Sequence, residues 1–291
     1  MIDPDEGELT LRGCLLTILL SMRSCWTRVL VVGAGATGGY FGARLAQAGR
    51  DVTFLLRGAR AADVRANGLR LTGQGAEQVV PVTVVTVADI SGPYDLVLLA
   101  VSNGALDAAA DDIAGAVGPG TLIVPFLNGM SHMDRLNERF GRAAVLGGVV
   151  LAARQLGERG EIISLLPAAK LTIGAQPGPE QPDLTETAAA LAVPGFDLVV
   201  SGHILADMWY PLPEGDVRSY TATLTEKDSK LTPSLYRDVL AGHSTESHYV
   251  LDDLARRARD RDLETPLLEL AALQLRIYNA RAIRARMTRG G

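Results

Sequence analysis

The sequence predicts an α/β protein: an N-terminal doubly wound, mostly parallel sheet followed by helical segments. Three observations carry this. Continuous apolar runs rich in β-branched residues recur along the first part of the chain, as strands buried on both faces require. Helical segments alternate with them, which makes the connections crossovers and the sheet parallel. A glycine-rich turn joins the first run to the first helix.

Arg28 to Val32 (RVLVV) is the first strand. Directly after it come Gly33-Ala34-Gly35-Ala36-Thr37-Gly38-Gly39, then a helix over Tyr40–Ala48 ended by Gly49, then a second strand over Asp51–Leu56. Gly33 permits the tight turn, Gly35 lets a diphosphate approach the backbone, and Gly38 lets helix and strand pack closely. Free N–H groups at the helix N-terminus then receive the diphosphate. This strand, G-x-G-x-x-G, helix, strand unit predicts a Rossmann dinucleotide-binding domain held by Gly33, Gly35, Ala36, Thr37 and Gly38. An NAD site usually carries Asp or Glu at the end of the second strand; here Arg57 stands there, with Arg60 after it. A guanidinium suits a 2′-phosphate, so the expected cofactor is NADP(H). The alternative is two solvated loop arginines.

Further strands are expected over Asp95–Val101, Thr121–Pro125 and Ala144–Leu151, with an Ala-rich helix over Ala105–Val117 broken by Gly118-Pro119-Gly120. Gly160–Ser164 and Lys170–Ile173 suggest two short strands in a hairpin-like edge. A helix over Asp183–Ala192, a strand over Asp197–Val200 and a helix opening at His203 follow. Ligands of such sheets bind outside the carboxyl ends of the strands. Ser102 and Asn128 stand at two of those ends. Ser102 faces the cofactor or caps the next helix; Asn128 belongs to the site or to an Asn-Gly turn.

In the last part, Ser244 or Thr245 can cap a helix starting near Glu246 and carrying Val250, Leu251, Leu254, Ala255 and Ala258 on a buried stripe. Thr265-Pro266 opens another helix, with Leu267, Leu270, Ala271, Gln274 and Tyr278 at helical spacing. On local chemistry alone, Ser234 is a cap after Pro233 and Glu246 a first-turn carboxylate favoured by the helix dipole.

Composition narrows the function classes. The 291 residues are 47% hydrophobic and 21% charged, as in a globular protein with a substantial core. A net charge of −5 argues against a nucleic-acid surface. The apolar run Cys14–Met22 is too short to span a bilayer, and no membrane partner is expected. Cys14 and Cys25 form no disulfide framework, and no Cys/His cluster has metal-ligand spacing, so no metal and a reducing, cytoplasmic setting are expected. Residues 1–26 are expected to be an extension, residues 27–202 the Rossmann domain and residues 203–291 a helical domain.

The pattern resembles the ketopantoate reductase (2-dehydropantoate 2-reductase) family. The resemblance runs from Arg28 to Ile283 and rests on GAGATGG at Gly33, LLAV at Leu98, LNGM at Leu127, LTIG at Leu171, MW at Met208, SLYRD at Ser234, TE at Thr245 and TPLLEL at Thr265. It implies a Rossmann domain followed by an all-helical domain, and reduction of a small 2-keto acid, ketopantoate, by NADPH. It gives Asn128 the place of the active-site asparagine, Ser234 that of a substrate-binding serine, and Glu246 that of the glutamate in the Thr-Glu motif. A homodimer is a possible assembly.

Two departures from the family stand out. Ser102 replaces a lysine common after that strand. Shortly after the Met-Trp pair the family carries the lysine that acts as general acid, then further helices; here Met208-Trp209-Tyr210 runs straight into Pro211-Leu212-Pro213. This predicts an internal deletion at 210–211 and a shortened helical domain. Hydride addition to a ketone builds negative charge on oxygen, which a positioned acid must neutralise. The chain's lysines are Lys170, Lys227 and Lys230, and Lys230 is nearest Ser234 in sequence. A catalytically impaired NADP-binding remnant, and a sibling reductase of another keto acid, are the alternative expectations.

Overall fold

The computed structural model of the protein describes residues 27–209, 222, 226 and 234–289. The extension over residues 1–26, the junction at Tyr210–Pro211, and Lys227 and Lys230 lie outside the described residues.

Five strands form the first sheet: β1 (Arg28–Val32), β2 (Asp51–Leu55), β5 (Thr83–Val85), β6 (Leu96–Leu99) and β7 (Leu122–Pro125). Their order is β5-β2-β1-β6-β7, all parallel, with Leu30 in register with Thr53 on one side and Val97 on the other. The order reverses at β1, so the crevice at its carboxyl end is the topological switch point where such sheets bind ligands. The glycine turn occupies it. The apolar runs fill both faces: Val29, Leu30, Val31, Val97, Leu98 and Leu99 are wholly buried.

Helix α1 (Ala36–Gln47) covers one face, where Phe41 packs edge-on against Phe126 and Phe196 at 5.4 and 4.7 Å between ring centres. Edge-to-face pairs of this kind strengthen a core beyond area alone. On the opposite face, α3 (Leu106–Asp112) and α4 (Ser131–Phe140) bury Leu106, Met133 and Leu136 against Leu30, Val97 and Ile123.

A second, mixed sheet closes over α1. It contains β3 (Leu69–Thr72), β4 (Gln78–Val80), β8 (Gly147–Leu156), β9 (Ile162–Gly174) and β10 (Asp197–Val200), in order β10-β9-β3-β4 with β8 antiparallel to β9. Helix α2 (Gly58–Asn67) follows β2, and α5 (Thr185–Leu191) precedes β10. After α6 (Ile204–Trp209), the described chain is helical: α7 (Ser234–Leu240), a π-helical turn (His248–Asp252), α8 (Asp253–Arg259) and α9 (Pro266–Arg289).

Several expectations change. The strand expected over Ala144–Leu151 touches the first sheet through a single bridge, Val145 to Ile123, and then leaves as β8 into the second. The two short strands at Gly160–Ser164 and Lys170–Ile173 are one strand, β9, inside that sheet rather than at an edge. Pro167 would be expected to break it. The break is bridged by Arg154, buried beside a register shift in β8, whose guanidinium donates to the carbonyls of Leu166, Pro167 and Ala168. The helix expected over Ala105–Val117 is three short pieces, a 3-10 turn, α3 and a second 3-10 turn containing Gly115. In α9 the inward face carries Ala272 and Asn279, while Leu267, Leu270, Leu273 and Ile277 are exposed.

Candidate active site

The glycine turn shapes a cleft of about 390 Å³. Its walls are Val32 to Gly35 from the turn, Leu55, Leu56, Arg57 and Arg60 from the end of β2 and α2, and Val101, Ala105, Ala109 and Asp112 from the end of β6 and α3. Gly33 has φ +94°, and a Cβ there would come within 2.8 Å of the Ala100 carbonyl oxygen. Gly38 is buried where a Cβ would lie 2.5 Å from the Gly33 carbonyl oxygen and 2.6 Å from Ala100 Cβ. Gly35 differs: a Cβ there would meet nothing within 4 Å, so its backbone faces open space. Gly35 caps α1 without a side chain, and no acidic residue stands in the first turn, where Ala36 and Thr37 are half-buried. A twelve-residue helix with uncapped N–H groups opening on a cleft is a site for an anionic group. These residues fit a diphosphate.

Arg57 reaches across the cleft. Its Nε donates to Asp112 Oδ2 at 2.6 Å and its Nη2 to the Ala108 carbonyl at 3.0 Å. Arg60 is tied down on the floor: Nε and Nη2 donate to the Ala34 carbonyl at 3.1 and 3.0 Å, and Nη1 to Asp63 at 2.9 Å. Ser102 is exposed at the N-cap position of the 3-10 turn Asn103–Ala105, and its hydroxyl makes no cap bond.

A second cluster sits at the carboxyl ends of β6 and β7. Asn128 is exposed and lines a small cavity with Phe126, Gly148, Val150 and Met208. It is followed by Gly129 at φ +78°, where a Cβ would collide with the Tyr249 carbonyl. Glu246 arrives from the helical region. Its Oε1 accepts the Asn103 main-chain N–H at 2.7 Å, and its Oε2 is 3.5 Å from Asn103 Nδ2. The same Nδ2 donates to the Asn128 carbonyl at 3.1 Å. Asn103 therefore joins the two residues expected in the site. It is wholly buried, and its Oδ1 has no partner. Ser234 begins α7 in an exposed position and takes no part in this network.

Sequence reasoning misses Asn103 and Asn279. Asn279, on α9, holds the Thr245 backbone and the Ser247 side chain, one on each side of Glu246: Oδ1 accepts the Thr245 N–H at 2.7 Å, and Nδ2 donates to the Thr245 carbonyl at 3.1 Å and Ser247 Oγ at 3.2 Å. Thr245 and Ser247 are buried beneath it. The Thr245 hydroxyl accepts the Ser247 N–H at 3.4 Å, a local turn bond in place of the expected helix cap. An asparagine adjoining a strand end is the only signal the sequence carries for Asn103; for Asn279 it carries none.

His132 lies wholly buried on α4, and neither ring nitrogen has a partner. Burial pushes its pKa down to about 4, against the opposing pull of Asp253. Lys170, the one lysine among the described residues, sits in β9 in register with Asp197. No lysine joins the Asn103–Asn128–Glu246 network among the described residues, and no cluster of metal-ligating side chains occurs among them. No helix among them is long and apolar enough to cross a membrane.

Fold and site together define a Rossmann α/β protein with an open glycine turn and a carboxylate–asparagine cluster on one edge of its sheet. The chain belongs to the ketopantoate reductase PanE/ApbA family: the family pattern matches residues 29–178, and that of the family's C-terminal region matches residues 185–279. Among relatives, it is 25% identical over 301 positions to YkpB of Bacillus subtilis (strain 168), an uncharacterized oxidoreductase, covering 87% of this chain and 99% of YkpB. It is 31% identical over 206 positions to the 2-dehydropantoate 2-reductase of Mesorhizobium japonicum, covering 64% of this chain and 63% of that enzyme. Two solved structures share the fold. A D-mandelate dehydrogenase with NADH and anilino(oxo)acetate superposes with TM-score 0.78 at 16% identity, covering 88% of this chain and 99% of that one. The 2-dehydropantoate 2-reductase of Geobacter metallireducens GS-15 superposes with TM-score 0.74 at 22% identity, covering 86% and 99%.

Proposed function

We propose that this chain is an NADP(H)-dependent reductase of a small 2-keto acid, with 2-dehydropantoate the first substrate to test. The observation that carries the reading is the placing of the glycine-turn cleft and the Asn103–Asn128–Glu246 network on the same carboxyl edge of one sheet. The bound nicotinamide supplies a hydride. Gly35 and the N-terminus of α1 receive the diphosphate, with Gly33 and Gly38 shaping the turn. Arg57 takes the 2′-phosphate. Glu246, held by the Asn103 main chain, and Asn128 orient the keto acid, with Ser234 as a further substrate contact. Charge growing on the keto oxygen needs a donor. The exposed Asn128 amide, at the end of β7, is a group that can supply a hydrogen bond there.

A second reading is a nucleotide-binding remnant without turnover. Two observations favour it: no lysine joins the described network, and the 301-position alignment to YkpB is longer than this 291-residue chain, so it holds gaps on this chain's side. Such gaps are what a helical domain shortened at 210–211 produces. The division at residues 202/203, a homodimer and a cytoplasmic setting remain part of the proposal.

The test is NADPH oxidation with 2-dehydropantoate alongside NADPH binding by fluorescence. Turnover lost in Glu246→Ala supports the reductase. Tight binding without turnover of 2-dehydropantoate or other branched 2-keto acids supports the remnant. Failure to bind NADPH overturns both.

A further inference from the structure

The glycine-turn cleft is crossed by an ion pair that the reading above leaves unexplained. Arg57 extends from the end of β2 to the opposite wall, where Asp112 closes α3. The Asp112 side chain is only 17% exposed, against 58% for Arg57, so the carboxylate belongs to the wall and the guanidinium comes to it. The other arginine of the cleft is also paired with a carboxylate, Asp63. Its remaining fork is spent on the Ala34 carbonyl. Asp112 lines the cleft and Asp63 stands behind it, so each of the cleft's two guanidinium groups is already paired with a carboxylate.

This is an unusual balance for a site that accepts only a 2′-phosphate. A 2′-phosphate that takes the Nε–Nη2 edge of Arg57 displaces Asp112, and the displaced carboxylate then faces the phosphate at short range. A ribose lacking the phosphate presents a 2′-hydroxyl instead. NAD sites meet that hydroxyl with a carboxylate at the end of the second strand. Asp112 brings a carboxylate to the side chain at that very position, from the other wall.

Resting on the reading of this cleft as a nicotinamide dinucleotide site, we propose that Asp112 determines its cofactor specificity. Its carboxylate competes with the 2′-phosphate of NADPH for Arg57 and accepts the 2′-hydroxyl of NADH, so the chain takes both cofactors. The experiment is a fluorescence titration of the full chain with NADPH and with NADH, for wild type, Asp112→Asn, Asp112→Ala and Arg57→Ala. The wild-type Kd values should lie within about tenfold of each other, and both Asp112 variants should tighten NADPH and weaken NADH, shifting their ratio by about tenfold or more. The alanine variant covers the case in which an asparagine oxygen still holds Arg57. Arg57→Ala should move the ratio the other way. A ratio unmoved by either Asp112 variant, with both nucleotides bound, overturns the role of Asp112 and leaves the cofactor reading intact. Wild type that binds NADPH and excludes NADH by about a thousandfold also overturns it. Binding of neither nucleotide overturns the inference and the cofactor reading together.

Discussion

The glycine-turn cleft and the Asn103–Asn128–Glu246 cluster share a sheet edge but are built differently. The cleft's walls come from two short stretches, 32–60 and 101–112, with Leu156 added. The cluster ties together residues far apart in the chain: the Asn103–Glu246 bond spans 143 positions, and Thr245 is anchored to Asn279 another 34 positions on. In the cleft, backbone conformation and glycine spacing do the shaping. In the cluster, the side-chain amides of buried Asn103 and half-buried Asn279 hold pieces of different elements against one another. Fold and function therefore separate sharply at the glycine turn and hardly at all around Glu246.

The largest expected effect tests that separation within four residues. Gly38→Ala places a methyl group 2.5 Å from the Gly33 carbonyl oxygen and 2.6 Å from Ala100 Cβ. Such overpacking costs about 3 kcal/mol of stability. Gly35→Ala places its methyl in open space, so stability should change by no more than about 1 kcal/mol. That methyl nevertheless stands where the diphosphate must approach, and NADPH affinity should fall by about a hundredfold. Urea unfolding and NADPH titration on both variants decide it. Unchanged NADPH binding in Gly35→Ala would remove the diphosphate from this turn.

The next effect belongs to the cluster side. Helix α4 packs on the π-helical turn after Glu246, and its His132 is buried without a partner, with Asp253, Arg135 and Arg257 as its charged surroundings. Its folded pKa is lowered to about 4 from an ordinary 6.5, so between those values the unfolded chain binds the extra proton. Stability is therefore whole above about pH 6.5 and declines as pH falls toward 4, by roughly 3 kcal/mol for this group. Urea unfolding across that range should show the decline, and His132→Leu should flatten it. An equal slope in the variant would assign the acid sensitivity to other groups.

Asn279→Ala comes third. It strips the partner from the Thr245 N–H and from Ser247 Oγ, both on buried residues. Leaving such groups unsatisfied costs about 2 kcal/mol. Thermal unfolding reads this directly, and NADPH affinity should stay within about twofold of wild type, because the cleft takes nothing from α9.

The same contrast governs how much of the molecule is legible in its sequence. β1, α1 and β2 follow from β-branched runs and three glycines, because backbone sterics act between neighbours. The place of Arg57 at the cleft follows from its position after β2, yet its pairing with Asp112 does not, since nothing in an aspartate at a helix end announces its partner. β9 reads as two strands because Pro167 ordinarily ends one, and the guanidinium that rescues it lies thirteen residues earlier in β8. Asn128 stands out through its place at a strand's carboxyl end, and Glu246 through motif resemblance rather than local chemistry. Asn103 and Asn279 carry no periodicity, and a single amide becomes meaningful only when the fold brings its partners to it. The exposed leucines of α9 show the converse: helical spacing identifies the helix but not the face it presents to the protein.

Asn103→Ala should have the smallest effect on stability, and it separates the two regions most cleanly. The main-chain N–H of residue 103 still holds Glu246 Oε1, so the carboxylate keeps its principal anchor. Lost are the side-chain bond to the Asn128 carbonyl and the longer approach to Oε2. Also lost is an oxygen buried without a partner, whose removal offsets part of the cost. The net should be about 1 kcal/mol in urea unfolding. Function should respond more strongly, because the Asn103 side chain is what ties Glu246 to the loop carrying Asn128. Turnover of 2-dehydropantoate should fall by about tenfold while NADPH affinity is unchanged. A loss in NADPH affinity as large as the loss in turnover would mean that the cluster and the cleft are one cooperative unit, and the contrast between the two regions would fail.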